Sequence, residues 1–330
     1  MSPAAPDFAT PDRATGAARA RLAGGAAIAS MLVAVLLVAL KSWAAWRTGS
    51  VAMLGSLADS ALDLLASLAT LVGVLVAAQP ADREHRFGHG KAESVAAMIQ
   101  VMLIVLSAGG IFWRSIMQWI EGARVAAAGE GILVSGLAIG ATLALLAWQR
   151  HVIARTGSVA IRADNVHYQS DLALNLGVIA ALVLDRYAGI GWADPLFGLA
   201  ISIWLLRGAL GASREAVNHL MDREWPDEKR RAFVARAARH PELARLHDLR
   251  TRSTGNRDFA QFHVDLPARM TVGEAHDIVE RVEADLASAF PGTEILIHID
   301  PEGHIDEPGN QLVEASEFAR LAENHQEATP

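Results

Sequence analysis

The sequence predicts a membrane protein in two parts: an all-α bundle of six transmembrane helices, followed by a C-terminal cytoplasmic domain of the α+β class. Hydrophobic residues make up 52% of the 330-residue chain and the mean hydropathy is +0.25, which is high for a soluble protein of this length. Residues 1–215 hold 16 Lys and Arg against 14 Asp and Glu, a net charge of +2, whereas residues 216–330 hold 13 against 22, a net charge of −9. An ordinary soluble enzyme is therefore excluded.

Three uncharged apolar runs are each long enough to cross about 30 Å of hydrocarbon as a helix. They are Leu22–Leu40, Ser94–Trp113 and Gly131–Gln149, with 19 or 20 residues each. Residues 1–18, ahead of the first run, are rich in Pro, Ala and Asp and lack periodicity. We therefore expect a disordered N-terminal tail and an uncleaved first span.

Three further spans are predicted from weaker signals. Residues 48–81 contain only two charges, both Asp, and a second transmembrane helix with buried acids fits that pattern best. Shorter apolar cores at Leu172–Leu184 and Pro195–Leu206 reach spanning length when their polar neighbours are included. The six spans then form a transmembrane domain at residues 19–215.

Lys and Arg are distributed unequally between the two sides of this six-span arrangement. The side that includes the N-terminus and the segment after the sixth span holds eleven of them, and the other side holds five: Lys41, Arg47, Arg114, Arg124 and Arg186. The positive-inside rule places the richer side in the cytoplasm. The sequence therefore predicts a multi-pass protein of the cell (inner) membrane with both termini in the cytoplasm.

Residues 216–303 show the pattern of a small α+β domain. The predicted elements are a helix from Pro226 to about Arg239, strands at 246–252 and 259–266, a helix at 271–290 and a strand at 294–299. This α-β-β-α-β order is that of a ferredoxin-like or metallochaperone-like domain with its helices on one face of the sheet. Residues 304–330 are polar and acidic, and we expect them to form a mobile tail.

Composition restricts the ligand chemistry that is open to this chain. It has no cysteine, which excludes disulfides and thiolate metal sites and leaves His, Asp and Glu as candidate metal ligands. A C-terminal part this acidic suits divalent cations and argues against nucleic acid as a partner.

Four ionisable side chains within the predicted spans form the first candidate metal site. Asp59 and Asp63 are four residues apart on the second helix, so they share one helical face, and His167 and Asp171 repeat this spacing on the fifth helix. Three carboxylates and one imidazole can close a tetrahedral shell around a divalent cation such as zinc. Two other interpretations remain open: ordinary polar residues at helix ends, and a purely structural metal clip between two helices.

The loop after the second span carries a second candidate set. Asp82, His85 and His89 lie within eight residues, which indicates either a local chelating site or a solvated loop whose histidines bind nothing. The adjoining Gly90-Lys91 is not part of a phosphate-binding loop, because Ala92 stands where that motif needs Ser or Thr.

The C-terminal domain holds a third candidate set on its predicted strands. His298 and Asp300 alternate on the third strand and therefore share one face of the sheet. His247 and His263 lie on the other two strands. Each histidine taken singly is more often an ordinary surface or core residue than a ligand.

Three segments resemble the signature motifs of the cation diffusion facilitator family. They are Leu57-Ala58-Asp59-Ser60-Ala61-Leu62-Asp63, Phe87-Gly88-His89-Gly90-Lys91-Ala92-Glu93 and His167-Tyr168-Gln169-Ser170-Asp171. The resemblance covers about residues 20–302 and is closest to the bacterial zinc and iron efflux branch. It implies a homodimer in the lipid bilayer, not an enzyme, that exports Zn2+ from the cytoplasm by alternating access in exchange for protons. Fe2+ and Cd2+ are further implied substrates, and Zn2+ is also an implied regulatory ligand.

The resemblance also implies roles for individual residues. It makes Asp59, Asp63, His167 and Asp171 the transport site, and Asp82, His85 and His89 a loop metal site. It implies a cytoplasmic binuclear site at the dimer interface, formed by His247, His263, His298 and Asp300, with His276 as a further candidate. Lys91 and Asp222 match a charge pair that interlocks near the dimer contact. The histidines expected not to bind metal are His151, His219, His240, His304 and His325.

Two other functions are weighed against transport. A membrane-bound metal sensor or scaffold would need the soluble ligands but no proton-coupled turnover at Asp59 and Asp63. A membrane metalloenzyme is disfavoured, because the sequence has no His-Glu-x-x-His motif and four protein ligands would leave no open coordination position.

Overall fold

Six long helices form the first of two units in the computed structural model, which describes residues 16–48, 51–121, 132–189, 192–243, 246–255 and 257–303. The first unit runs from Ala17 to Leu220 and the second begins at Met221. The helices are α1 (Gly16–Thr48), α2 (Val51–Ala77), α3 (Ala92–Glu121), α4 (Ile132–Thr156), α5 (Val159–Ala188) and α6 (Ala193–Leu220). Residues 1–15 and the predicted tail, 304–330, lie outside the described residues.

Five of the six helices have the length and apolar composition of membrane spans. These candidate spans are Ala18–Arg47, Ser60–Ala77, Ala92–Glu121, Gly136–Thr156 and Ala193–Leu220. The helix α5 has 30 residues, about 45 Å at 1.5 Å per residue, but Asp164, His167 and Asp171 lower its hydropathy. It packs against α3, α4 and α6 within the bundle. The chain therefore has the predicted six-helix bundle, in which composition alone does not identify α5 as a span.

Small residues allow the helices of the bundle to approach one another closely. Ala97 of α3 shares a buried cluster with Ala209 and Ala212 of α6. Between α2 and α3, a side chain at Gly73 would collide with Ala96. Because lipid gives helices no hydrophobic reason to associate, close van der Waals packing of this kind is a main source of their association.

Large apolar side chains lie exposed on the outside of the bundle. One such residue from each helix in turn is Leu32, Leu65, Leu106, Leu143, Leu176 and Leu210. A soluble protein rarely exposes contiguous apolar surface of this extent, whereas lipid tails solvate it without cost. The first unit is therefore built to be surrounded by lipid.

The second unit confirms the predicted α-β-β-α-β order. Its elements are α7 (Asp227–Ala237), a short 3-10 helix (Pro241–Leu243), β1 (His247–Ser253), β2 (Asp258–Leu266), α8 (Val272–Ala289) and β3 (Thr293–Pro301). The start of α8 is fixed by a capping box, in which Thr271 accepts from the backbone N–H of Glu274 and the Glu274 carboxylate accepts from the backbone N–H of Thr271.

The strand β2 is the centre of a three-stranded sheet, paired antiparallel with β1 and parallel with β3. Phe262 and Val264 of β2 lie in one buried core with Phe233 of α7 and Leu286 of α8. Successive side chains on a strand point to opposite faces, so His263 points away from this helix-covered face. The sheet thus has one apolar face and one face that is free to carry ligands.

A charged contact joins the two helices of this unit. Asp285 of α8 accepts hydrogen bonds from the guanidinium of Arg236 on α7, one of them 2.9 Å long, and its Oδ2 lies 2.9 Å from His240 Nε2. Hydrogen bonds from Arg236, and then from His240, lower the pKa of Asp285 to about 2. His240, expected not to be a metal ligand, is therefore engaged in a contact that holds α7 to α8.

We expect Asp285→Asn to loosen the α7–α8 contact by about 1–2 kcal/mol at neutral pH, because the charge-assisted hydrogen bonds from Arg236 are weakened. A lowered pKa in the folded state stabilises the fold above the ordinary carboxyl pKa of about 3.9, and this contribution is lost as the pH falls towards about 2. Hydrogen exchange of the full-length protein would show faster exchange in α7 and α8 at pH 7. The exposed Asp277→Asn on α8 serves as control, and equal exchange in both variants would contradict the prediction.

Candidate metal sites

Asp63 of α2 lies beside His167 and Asp171 of α5 inside the helical bundle. His167 Nε2 lies 3.1 Å from Asp63 Oδ1 and 3.8 Å from Asp171 Oδ2. Zinc bonds to oxygen and nitrogen are about 2.0–2.1 Å long, so neighbouring ligand atoms of a tetrahedral shell are about 3.3 Å apart. The two distances lie on either side of this value. The three side chains are therefore spaced as ligands of a divalent cation would be.

The imidazole of His167 is buried in a way that suits a ligand. Its side chain is only 8% exposed, and Nε2 makes no hydrogen bond of acceptable geometry within the described residues. A buried nitrogen without a hydrogen bond costs free energy unless another partner uses its lone pair. A cation held between Asp63 and Asp171 would be such a partner.

Asp59, the fourth predicted ligand of this site, lies on α2 one helical turn before Asp63. Its side chain lies outside the described part of the chain, so its membership of the site stays a prediction. The spacing of four residues keeps it on the same helical face as Asp63.

Asp164 is a fully buried carboxylate that the sequence analysis did not single out. It lies on α5 three residues before His167 and has 0% exposure. Gln100 Nε2 of α3 donates to its Oδ1 and Gln149 Nε2 of α4 donates to its Oδ2, each at 2.8 Å. Both carboxylate oxygens of Asp164 thus accept hydrogen bonds from neutral side-chain amides. Asp164 precedes the predicted fifth span, and the signal that could have revealed it is its position one helical turn before His167.

The orientation of these two amides is fixed by their other partners. Gln100 Nε2 also donates to the backbone carbonyl of Ala66 at 3.2 Å, and a carbonyl can only accept. Gln149 Oε1 accepts from Asn165 Nδ2 at 2.9 Å, which turns its own NH2 group towards Asp164. Both oxygens of Asp164 therefore face hydrogen-bond donors that cannot reverse.

Glu93, at the start of α3, binds the N-terminus of α5. Its carboxylate accepts from the hydroxyl of Ser158 and from the backbone N–H groups of Val159 and Ala160. Ser158 Oγ in turn accepts from the backbone N–H of Ile161 at 3.3 Å, as an N-cap does. Negative charge is stabilised at a helix N-terminus, so this contact fixes the start of the helix that carries His167.

The loop residues Asp82, His85 and His89 also lie together. Asp82 Oδ2 is 3.3 Å from His89 Nε2, and Asp82 Oδ1 is 3.5 Å from His85 Nδ1. His89 Nδ1 lies 3.2 Å from the carbonyl oxygen of Pro80, which can only accept a hydrogen bond, so Nδ1 is the donor there and Nε2 is the nitrogen that faces Asp82. The predicted loop set is therefore spatially convergent.

Asp82 is held as an ionised group by its local backbone. Its Oδ1 accepts from the N–H of His85 at 2.6 Å and from the N–H of Glu84 at 2.9 Å. The hydrogen bond from His85 is the largest influence and lowers the pKa of Asp82. The loop thus offers an anionic oxygen beside two imidazoles.

Three histidines form one row across the sheet of the second unit. His247 pairs with His263, and His263 pairs with His298 on β3. Asp300 lies against this row: its Oδ2 is 2.8 Å from His263 Nδ1 and 3.6 Å from His247 Nε2, and its Oδ1 is 3.4 Å from His298 Nε2. One buried carboxylate therefore contacts three imidazoles. Imidazole and carboxylate groups gathered in this way are able to bind one or two divalent cations.

A β-bulge brings His247 into the row. Between His247 and Arg250 the register against β2 shifts, with Asp248 in a left-handed conformation at φ 48°. Without the extra residue, His247 would share the face of Leu249, which is buried in the apolar core. The bulge also brings the Asp248 carboxylate to 3.7 Å from His263 Nε2, a contact that the sequence pattern did not indicate.

Two other histidines named in the sequence analysis have partners of their own. His276 lies exposed on α8, 4.0 Å from Glu280, and is not part of the group formed by His247, His263 and Asp300. Among the histidines expected not to be ligands, the ring of His151 stacks on Trp148. His304 and His325 lie outside the described residues.

The predicted charge pair consists of one residue in each unit. Lys91 Nζ donates to the carbonyl of Leu220 at 3.2 Å within the first unit. Asp222 lies 3.5 Å from Arg252 within the second. The interlock between Lys91 and Asp222 therefore stays a prediction.

Comparison with known families gives two matches that together cover most of the chain. Residues 27–221 match the model of the cation efflux transmembrane domain, and residues 225–302 match that of the cation efflux protein cytoplasmic domain. Similar proteins include the cation-efflux pump FieF of Cronobacter sakazakii, 44% identical over 85% of this chain and 93% of its own. FieF of Klebsiella pneumoniae is 43% identical and FieF of Escherichia coli O127:H6 is 42% identical, each over the same shares.

The solved structures that are similar to part of the chain include the zinc form of CzrB, described as a candidate zinc transporter, with 38% identity over 26% of this chain and 99% of that chain and a TM-score of 0.23.

Asp164→Asn is expected to destabilise the helical bundle by about 1–3 kcal/mol, because one carboxylate oxygen becomes an NH2 group facing an amide donor that cannot reverse. Thermal unfolding of the detergent-solubilised protein would show a lower Tm. Glu215→Gln, which removes an exposed ion pair with Arg162, is a control whose expected cost is below about 1 kcal/mol. Equal Tm values for the two variants would contradict the prediction, because the charge of Asp164 would then not be needed for the stability of the bundle.

Proposed function

This chain belongs to the cation efflux family, and we propose that it is an antiporter that exports Zn2+ from the cytoplasm in exchange for protons. Members of the family are transporters and not enzymes, so divalent metal ions are substrates of this chain. It is a multi-pass protein of the inner membrane. The second matched model is that of a dimer domain, which indicates dimerisation.

The observation that carries the proposal is the group of Asp63, His167 and Asp171 within the bundle. Their ligand atoms lie within 4.8 Å of one another, on two helices of the bundle whose outer surface is apolar and suited to lipid. Ionisable groups at this depth are costly and are retained mainly where ions or protons pass. With Asp59 added, the four donors form a tetrahedral transport site that suits zinc and also accepts Fe2+ and Cd2+.

Proton coupling follows from competition for the same lone pairs. Metal binding needs a neutral His167 and ionised Asp63 and Asp171, so each bound proton weakens the site. Facing the cytoplasm near neutral pH, the site fills with metal. Facing a more acidic exterior, it takes up protons and releases the ion. A proton gradient can therefore drive metal out of the cell.

Alternating access requires the helix that carries His167 to change its exposure between two sides of the membrane. Directional contacts hold α5 to its neighbours, among them Glu93 at its N-terminus and Gln100 at Asp164. Such contacts can exist in discrete arrangements, which supports movement of α5 as a rigid element rather than by gradual deformation.

The other two clusters are assigned supporting roles. We assign His247, His263, His298 and Asp300, with His276 from α8 as a further candidate, to a cytoplasmic Zn2+ site that regulates the dimer. Asp82, His85 and His89 form a separate loop site, and Lys91 and Asp222 interlock near the dimer contact. Residues 19–215 are the transport domain and 216–303 the cytoplasmic domain, with both termini in the cytoplasm. Bound Zn2+ favours one state only as far as its affinities for the two states differ.

Asp63→Ala is expected to abolish gradient-driven transport, because the site loses a ligand on the helix opposite His167. Zinc uptake into proteoliposomes would be measured with an imposed pH gradient. Asp194→Asn is the control, because an amide oxygen at the start of α6 can still accept from Gln118. Tight zinc binding with no flux in the wild type would instead favour a membrane-bound metal sensor, the alternative that the soluble clusters support.

His263→Ala is expected to raise the zinc concentration needed for half-maximal flux, because His263 stands at the centre of the cytoplasmic row. Zinc binding to the purified dimer and flux across a zinc series would be measured together. His276→Ala provides the comparison, with a smaller effect expected. A loss of flux that saturating zinc does not relieve would assign this site a role beyond sensing.

A further inference from the structure

Lys41 is a cation within the membrane-spanning part of α1. The sequence pattern groups it with Arg47 as a positive charge near the outer ends of the spans. Such a lysine ordinarily extends its ammonium towards the lipid headgroups. Lys41 instead donates a hydrogen bond of 2.6 Å to Ser60 Oγ of α2, and Ser60 has 0% exposure. Its charge is therefore directed into the bundle.

The point that Lys41 reaches is next to the candidate transport site. Ser60 follows Asp59 directly and precedes Asp63 by less than one helical turn. The Lys41 ammonium also interacts electrostatically with the carboxylate of Asp171 on α5. A fixed positive charge thus lies beside the ligand-bearing turn of α2 and acts on a ligand of α5.

The charge of the proposed site explains what such a cation would do. Three ionised carboxylates with one divalent cation and a neutral histidine have a net charge of −1. Burial of an uncompensated charge in a medium of low dielectric constant costs several kcal/mol. The ammonium of Lys41 brings the metal-bound site to zero and the metal-free site from −3 to −2.

We propose that Lys41 is the built-in counter-cation of the intramembrane metal site, an inference that rests on the proposed transport function. It neutralises the metal-bound site within the membrane. It also repels the bound divalent cation and so keeps the affinity low enough for release on the far side. Lys41 acts on the metal through charge and is not itself a ligand.

The sign of the effect on affinity follows from the net charges. The electrostatic cost of a buried charge rises with the square of that charge. Metal binding changes the net charge from −2 to 0 with Lys41, and from −3 to −1 without it. The second change relieves more electrostatic energy, so removal of Lys41 strengthens metal binding. Tighter binding slows release, and transport then shows a lower KM together with a lower kcat.

The test compares three substitutions of Lys41, with Zn2+ as the probe. Lys41→Met removes the charge and keeps the length, Lys41→Gln removes the charge and keeps a donor for Ser60, and Lys41→Arg keeps the charge. Arg47→Met is the matched control, since Arg47 is exposed near the end of the same helix and lies over the Trp43 ring. Zinc Kd would be measured in detergent at about pH 8, where histidine is ordinarily neutral, and KM and kcat in proteoliposomes.

We expect Lys41→Met and Lys41→Gln to bind zinc at least about tenfold more tightly, and to lower both KM and kcat. Lys41→Arg and Arg47→Met should remain close to the wild type. An unchanged Kd in the two neutral variants would overturn the proposal. A wild-type result for Lys41→Gln with a defect in Lys41→Met would also overturn it, because the hydrogen bond and not the charge would then matter.

Two other outcomes are equally decisive. Reduced membrane insertion of Lys41→Met and Arg47→Met alike would assign Lys41 to anchoring at the lipid interface. If Lys41→Met fails to fold, Lys41→Gln decides the question with the same measurements. Failure of the transport function itself is distinguishable, since the wild type would then show no gradient-driven flux whatever the residue at position 41, while the zinc Kd values would still test the charge of Lys41.

Discussion

The cost of a carboxylate inside a membrane is the constraint on which the helical bundle depends. Asp63, Asp164 and Asp171 all lie within helices whose outer surfaces are apolar. None of them can be solvated by lipid, so each must be satisfied by another helix or by a bound ion. The contacts among α1–α5 largely meet this requirement.

The bundle satisfies its acids in two different ways. Asp164 is matched permanently, by amides of Gln100 and Gln149 that have no alternative orientation. Asp63 and Asp171 lie against the imidazole of His167, and Asp171 also interacts with the charge of Lys41, so their carboxylate oxygens keep lone pairs for a bound ion. A permanently satisfied acid stabilises one arrangement of helices, whereas an incompletely satisfied one can exchange partners. The same chemical group is thus fully hydrogen-bonded at Asp164 and keeps lone pairs for an ion at Asp171, about two turns later on α5.

The second unit assembles similar ligands by a different geometry. Its three histidines come from three strands and meet because the strands are paired in register, with one bulge that turns His247 to the ligand face. Asp300 is 8% exposed by its side chain and contacts all three. A sheet holds such a row rigidly, because β1 and β3 are each paired by backbone hydrogen bonds with the central strand β2 that carries His263. Rigid ligands suit a site that senses metal rather than moves it.

The sequence by itself determined the six-helix bundle, the α-β-β-α-β order and the pairing of Asp63 with His167 and Asp171 as ligand types, because apolar length and four-residue spacing are local properties. Tertiary structure alone decided that Asp164 is held by two glutamines, that His247 joins the row of histidines through a bulge, and that Lys41 points inward to Ser60. These features depend on contacts between distant segments and on a shift in strand register. Periodicity along a single helix or strand carries no information about either.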